Sequence, residues 1–463
     1  MLDLFAYYFS RKCDHIMNGA AFYKYLLPFF CLVIVCKFIW HYTLEDTWIF
    51  LAVAAEPFGS GFLYGATSVF WGLIAWVLGV AFDVYALQAI KLLSCLFAVL
   101  AAFVVLRTGR LVNELQPYGL SLFWCVFFVF PFFTWSVTGM DTALSMYWVA
   151  IVVFFYVSFI TSNKKSYFYS AIVISSFSYG VRPELGWLSI FLIGYSFLLK
   201  RIDLRQALLC IFLSVLGAGL TLSVYKFFTG HLLPSSSVKV TSAGFVSVVS
   251  SIWLFVQISP FVLLGLVSVK NGCLRSINVF LLSLLGLRFV EQVVIGAIDH
   301  RSFSAMFPVL LLVLVINIPA LQRFIGKLFF IAGFSLIGIL GILNLQNVFW
   351  YSDRTENVHF VVQEEIETIE SIKTIGTEEV GLLAYRYGTQ NIYDYHGLIR
   401  NKLDELEGLD ALIFTGDLMK DQALESGFAL IKKVCFEHHP TIYVRSVGFS
   451  PKEYCKSIYL PAS

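Results

Sequence analysis

The chain has 463 residues, 59% of them apolar and only 13% charged, with a formal net charge of +2. Soluble domains carry about 25% charged residues and core growth saturates at domain size, so a single large soluble core is excluded. The aromatic share of 17% suits lipid-facing and interfacial surfaces, so a polytopic α-helical membrane protein is expected; no basic run is dense enough for nucleic acid.

The first apolar run, 25–41, predicts a membrane span. It starts too late for a cleavable signal, and no small-residue cleavage site follows it. The run ends at HYTLEDTWIF (41–50), where Glu45 and Asp46 stand side by side. Ionised carboxylates so near a bilayer are costly unless they face water or a partner. Further spans are expected near 86–106, 119–135, 142–160, 167–182, 185–199, 207–227, 245–269, 277–298, 303–320 and 328–350. That makes about 11 by the rule of about 20 apolar residues per crossing. The stretch 167–199 is short for two crossings and also fits one crossing plus a broken helix.

Lysine and arginine in short loops mark the cytoplasmic side. They collect at Arg11–Lys12, Arg107–Arg110, Lys164–Lys165, Lys200–Arg205, Lys270–Arg275 and Arg323–Lys327. With these spans they all fall on one face, which predicts a cytoplasmic N-terminus and an external C-terminal tail. Counting the apolar stretch 62–82 as a crossing would invert every later basic loop. It is therefore expected to lie in, or dip into, the outer interface, with Trp71 and Trp76 at that level.

The opposite face gathers a different chemistry: HYTLEDT (41–47), SVTGMDT (136–142), GVRPE (180–184), FFTGHLLPSSSVKV (227–240) and AIDHRSF (297–303). These loops carry Glu45, Asp46, Asp141, Arg182, Glu184, His231, Lys239, Asp299, His300 and Arg301. Singly, each has an ordinary explanation as a cap, a break anchor or an interface residue. Their segregation to one face points to a shared site at the outer mouth. Arg288 and Glu291 lie inside a span at i,i+3 spacing and are expected to be a pair holding the bundle.

These loops resemble motifs of the GT-C class of integral-membrane glycosyltransferases, in the branch with the terminal arabinofuranosyltransferases of bacterial cell walls. Glu45-Asp46-Thr47-Trp48-Ile49 is similar to its D-D-A-[FY]-I element, and Gly65–Trp71 to G-Y-T-x-x-L-W. Thr138–Thr142 is similar to S-G-M-E-T, Val181–Leu185 to T-R-P-E-G, and Phe227–Ser235 to Y-Y-G-D-L-L-P-N. In the tail, Gly381–Tyr387 followed by Asn391–Leu398 resembles G-x-x-x-Y-Y…V-I-D-x-x-G-L. Glutamate replaces the first aspartate of the pair, His231 stands where aspartate is common, and Ser235 replaces asparagine.

The resemblance implies transfer of a hexosyl or pentosyl unit from a polyprenyl-phosphate carrier to an envelope glycan or glycolipid, with inversion, on the outer face of a bacterial inner membrane. The attacking hydroxyl must lose a proton, so a carboxylate is needed as general base; Asp46 or Glu45 is the candidate. The departing phosphate gains charge, which preorganised cations stabilise. Arg182, Arg301 and Lys239 are the candidates, with His300 as a further donor. Asp141, Glu184 and His231 are expected to orient sugar hydroxyls or the basic groups. No cofactor is expected. A divalent metal at the acidic pair is not supported, because adjacent side chains rarely face one ion.

From residue 352 the composition turns polar. Residues 352–463 predict an extracytoplasmic α/β domain following the membrane domain 1–351. The expected elements are a helix at 358–373, strands at Val380–Tyr385 and Ala411–Thr415, a helix at Lys420–Lys433, and strands at Val434–Phe436 and Thr441–Ser446. The domain carries no nucleophile triad, phosphate loop or metal spacing. Its two cysteines, Cys435 and Cys455, are open to pairing if the tail is exported, with two free thiols as the leading alternative. Rival readings are a lipid or solute transporter or flippase, which Arg288 and Glu291 within a span would suit, and a non-catalytic envelope-assembly subunit.

Overall fold

The computed structural model describes residues 50–52, 68–112, 123–124, 126–127, 139, 141–229, 255, 258–266, 272–295, 303–324, 360–367, 372–377, 383, 387, 391–394, 406, 408–415, 420–436 and 454–461. Helices dominate. Among the described residues four are long and apolar enough to cross a membrane: Ala86–Val112, Thr142–Ser162, Leu204–Phe228 and Leu274–Val293. The chain is thus a helical membrane protein in its described part. The spans expected at 25–41 and 328–350 lie outside the described residues.

Helix α1, Val69–Phe82, has 14 residues, about 21 Å at 1.5 Å per residue, well short of a crossing. Ser68 starts it by accepting the Trp71 N–H on its hydroxyl. Trp71 is fully buried and donates its indole N–H to the Gly139 carbonyl at 3.0 Å. An indole can sit inside when its single donor is satisfied.

Helix α2, Ala86–Val112, packs on α3, Thr142–Ser162, and α3 packs on α4, Lys165–Ser176. Asn163 ends α3 in a left-handed conformation, with its N–H bonded to the Phe159 carbonyl. After α4 the chain breaks into a single turn, Ser178–Val181, a 3-10 turn, Pro183–Leu185, and α5, Leu188–Leu198. Proline forbids helical geometry in the residue before it, and Arg182 is extended at φ −155 and ψ 131. With 12 residues in α4 and 11 in α5, the stretch 165–198 is a broken pair of short helices.

Helix α6, Leu204–Thr229, starts with a reciprocal cap: Asp203 accepts from the Gln206 N–H, and the Gln206 side chain accepts from the Asp203 N–H. Gly217 lets it approach α4 closely, since a Cβ there would lie 2.6 Å from the Ser176 Cβ. Helices α7, Gly272–Ile295, and α8, Phe307–Phe324, follow, with a further helical stretch described at 258–266. They are joined by a buried pair, Asn278 and Asn317, whose carboxamides exchange hydrogen bonds at 3.0 and 2.9 Å. Tyr156 anchors the apolar core, its ring 4.4 Å from that of Phe280 and its hydroxyl 2.7 Å from Ser196 Oγ.

The C-terminal part carries a five-stranded sheet of order β2-β1-β3-β5-β4. The strands are β1 Ile375–Thr377, β2 Ile392–Asp394, β3 Ala411–Thr415, β4 Phe428–Phe436 and β5 Tyr454–Pro461. β1 runs parallel to β2 and β3, while β5 runs antiparallel to β3 and β4. β3 lies where the sequence placed it. The expected helix 420–433 is a six-residue helix, α10, Lys420–Glu425, followed by β4; Gly427, at φ +80, stops the helix. Leu383, inside the expected strand 380–385, is helical. Helix α9, Phe360–Glu367, is shorter than the expected 358–373. The expected strand 441–446 lies outside the described residues. Cys435 and Cys455 are register partners across β4 and β5.

One buried apolar cluster crosses residue 352. It takes in Phe50, Leu51 and Ala52, then Val69 and Trp71, Leu144, Val181 and Tyr225, and from the tail Val362, Ile366, Ile375, Leu383 and Ile392. The tail sheet and α1 therefore share a core with the ends of α3 and α6 and with the segment just after the acidic pair.

Candidate functional site

The break at Arg182-Pro183 builds the site. Val181 is buried, and the extended Arg182 turns its side chain inward, 4% exposed, where its Nε lies 3.3 Å from Asp141 Oδ2 and 3.1 Å from Glu184 Oε1. Asp141 is fully buried at the start of α3, where its carbonyl accepts the Ser145 N–H. A carboxylate there is favoured by the helix dipole. Glu184 opens the 3-10 turn. Its Oε1 is also 3.8 Å from Arg288 of α7, which donates to Glu291 one turn further on at 2.6 Å. Trp187 closes the chain by donating its indole N–H to Glu291 Oε2 at 2.7 Å.

The result is a line of alternating charge, Asp141–Arg182–Glu184–Arg288–Glu291, with Asp141 and both arginines buried and the two glutamates half-buried, drawn from α3, the break and α7. Alternation is what makes such burial tolerable, because each ion needs a partner once water is removed. Within this line carboxylates outnumber guanidiniums by one.

The segments around it are locked together. Ser68 donates to the Gly180 carbonyl at 3.4 Å, and Trp148 donates its indole N–H to Ser178 Oγ at 3.1 Å. A Cβ on Gly180 would lie 2.8 Å from Thr221 Cγ2 and 2.9 Å from Phe70 Cζ, so α1, the break and α6 meet at a position only glycine fits. Among the described residues no group of His, Cys, Asp and Glu has the arrangement of a metal site.

Of the residues singled out in the sequence, the structure brings together Asp141, Arg182 and Glu184. Glu45, Asp46, His231, Lys239, His300 and Arg301 lie outside the described residues. Arg288 and Glu291, read as a self-contained pair, are continuous with this cluster. Trp187 and Gln292 were not singled out. The available signal was a run of polar residues, Arg288, Glu291 and Gln292, at helical spacing inside an otherwise apolar span. Comparison with family models, with curated proteins and with solved structures finds no match to this chain.

Proposed function

We propose that the protein is a membrane glycosyltransferase that moves a sugar from a polyprenyl-phosphate carrier to an envelope glycan or glycolipid on the extracytoplasmic face of a bacterial inner membrane. The observation that carries this reading is convergence. Residues of the separate GT-C-like motifs, Trp71, Gly139, Asp141, Arg182, Glu184, Phe228, Leu383 and Ile392, with Phe50–Ala52 just after the acidic-pair motif, meet around one charge cluster and one apolar cluster. A scaffold has no need to gather them.

In this reading the acceptor hydroxyl attacks the anomeric carbon from the face opposite the phosphate. The new O–C1 bond forms as the C1–O bond to the lipid phosphate breaks, and the hydroxyl proton passes to Asp46 or Glu45. Arg182 already carries two carboxylate neighbours, so its main work is to hold Asp141 and Glu184 in place for sugar hydroxyls. The charge on the leaving phosphate falls chiefly to Arg301, Lys239 and His300. The tail, on the same face, roofs the site and helps seat the acceptor.

The test is glycan analysis of a deletion strain complemented by wild type, Asp46→Asn or Glu45→Gln. Loss of one envelope sugar on deletion, restored by wild type and by only one of the two variants, supports the reading and names the base. An envelope unchanged by deletion, or restored equally by both variants and by their combination, rejects it.

A further inference from the structure

Gln292 stands one turn beyond Arg288 on α7, next to Glu291. Residues four apart share a helix face, and Leu281, Leu284, Arg288 and Gln292 form the buried stripe of this helix, while Val290 and Val293 on its other side are exposed. Gln292 is 2% exposed, yet neither its Oε1 nor its Nε2 has a hydrogen-bond partner. The neighbouring polar side chains of the cluster are engaged: Arg288 with Glu184 and Glu291, and Trp187 with Glu291. A buried carboxamide with both ends unsatisfied is a cost the apo fold does not recover. It is accounted for if a ligand supplies both a donor and an acceptor.

We infer that Gln292, one turn from the Arg288 that holds Glu184 and Glu291, forms a subsite for a hydroxyl group of the transferred sugar; this rests on the glycosyltransferase reading above. The chemistry selects a hydroxyl over a phosphate oxygen. Among the described residues the charged line ending one turn from Gln292 holds three carboxylates and two guanidiniums, a set that favours a neutral donor over an added anion. A hydroxyl is neutral, donates to a carboxylate or to Oε1, and accepts from Nε2. The sugar end of the donor thus lies toward α7. A site built to bond a hydroxyl also rejects a sugar lacking it, because the carboxamide then stays unpaired; Gln292 is accordingly a specificity residue.

The test uses the purified full-length protein and two probes, polyprenyl-phosphate-linked sugars extracted from the source membranes and bare polyprenyl phosphate, with binding read by native mass spectrometry. Wild type is expected to hold the sugar-bearing lipid more tightly than the bare lipid. Gln292→Met should weaken the sugar-bearing lipid by about tenfold, the size of one or two hydrogen bonds, leave the bare lipid unchanged, and raise the Tm of the ligand-free protein. Equal binding of the sugar-bearing lipid by Gln292→Met and wild type overturns the subsite while leaving the glycosyltransferase reading in place. Loss of binding to both lipids together with a lowered Tm, in Gln292→Met and Gln292→Ala alike, assigns the residue to packing and also overturns it. Wild type that binds neither lipid removes the glycosyltransferase reading, and the subsite falls with it.

Discussion

Glu184 and Arg288 lie 104 residues apart in sequence, yet their charged atoms are 3.8 Å apart, and the Arg288 Nη1 also donates to the Glu184 carbonyl at 3.4 Å. This contact joins the broken-helix segment to α7. Without it the cluster would be a three-ion group, Asp141–Arg182–Glu184, and a separate pair, Arg288–Glu291.

The charge order makes the two ends of this contact unequal. Removing Arg288 leaves the half-buried Glu184 and Glu291 around a lost cation, whereas Glu184→Gln leaves Arg182 paired with Asp141 and Arg288 with Glu291. Arg288→Met is expected to destabilise by about 3–5 kcal/mol, and Glu184→Gln by clearly less. Adding Glu291→Gln to Arg288→Met should recover part of the loss. Thermal unfolding of the purified variants in one detergent measures the cycle.

Gly217 faces Ser176 so closely that an added Cβ would lie 2.2 Å from its Oγ and 3.0 Å from its backbone carbon. Small residues at such crossings let membrane helices touch backbone to backbone. Gly217→Ala is expected to cost about 1–3 kcal/mol through overpacking. Ser176→Gly in the same chain should relieve the side-chain clash and restore most, but not all, of the Tm.

The Asn278–Asn317 pair is the other polar device between helices. Asn278→Leu leaves the Asn317 amide with only the Val313 carbonyl as acceptor and should destabilise by about 0.6–2 kcal/mol. The double replacement Asn278→Leu/Asn317→Leu should lie closer to wild type than the sum of the singles, because removing both partners leaves nothing unpaired at that contact. Unfolding of the four proteins gives the coupling directly.

What the sequence disclosed follows from which forces act locally. Hydropathy is local, so Ala86–Val112, Thr142–Ser162 and Leu204–Thr229 lie close to the expected spans. The break at Arg182-Pro183 was readable because proline restricts its own neighbour. The joining of Arg288 to Glu184 was not, since nothing in the i,i+3 spacing of Arg288 and Glu291 shows what α7 packs against. The burial of Trp71 is not legible for the same reason, because its partner carbonyl at Gly139 is distant in sequence. In the tail, Lys420–Lys433 is rich in helix formers, and Gly427 was the overlooked stop signal before β4. β1 and β2, with 3 residues each, are too short to show an alternation.

Cys435 and Cys455 are opposed in the β4–β5 ladder. Directly opposed residues of an antiparallel pair have Cα atoms about 4.5–5.5 Å apart, inside the range of about 4.4–6.8 Å that disulfides require. With the tail in an oxidising compartment, the pair is expected to resist maleimide until reduced, while Cys455→Ser should leave Cys435 reactive without reduction. A mobility-shift gel on protein trapped in acid reads this. The chain has nine cysteines, so the same number of reactive thiols in wild type before and after reduction, rather than two fewer before, would remove the bridge.

Asp410 ties the start of β1 to the start of β3. Its Oδ2 accepts the Lys373 and Thr374 N–H groups, both at 2.8 Å, and the Thr374 hydroxyl at 3.0 Å. Partial burial pushes its pKa up, but these hydrogen bonds to the ionised form outweigh that, and the carboxyl sits below the usual aspartate value. The folded state therefore binds fewer protons here than the unfolded chain. The stabilisation is fully present above the unfolded aspartate value of about 3.9 and is lost as pH falls below it through the folded value. Acidification across that window should loosen the 372–377 and 411–415 segments, read as faster amide exchange relative to the intrinsic rate at each pH. Asp410→Asn should already exchange faster at neutral pH and show a flatter response to acid. An identical acid profile in both proteins would remove Asp410 from the linkage.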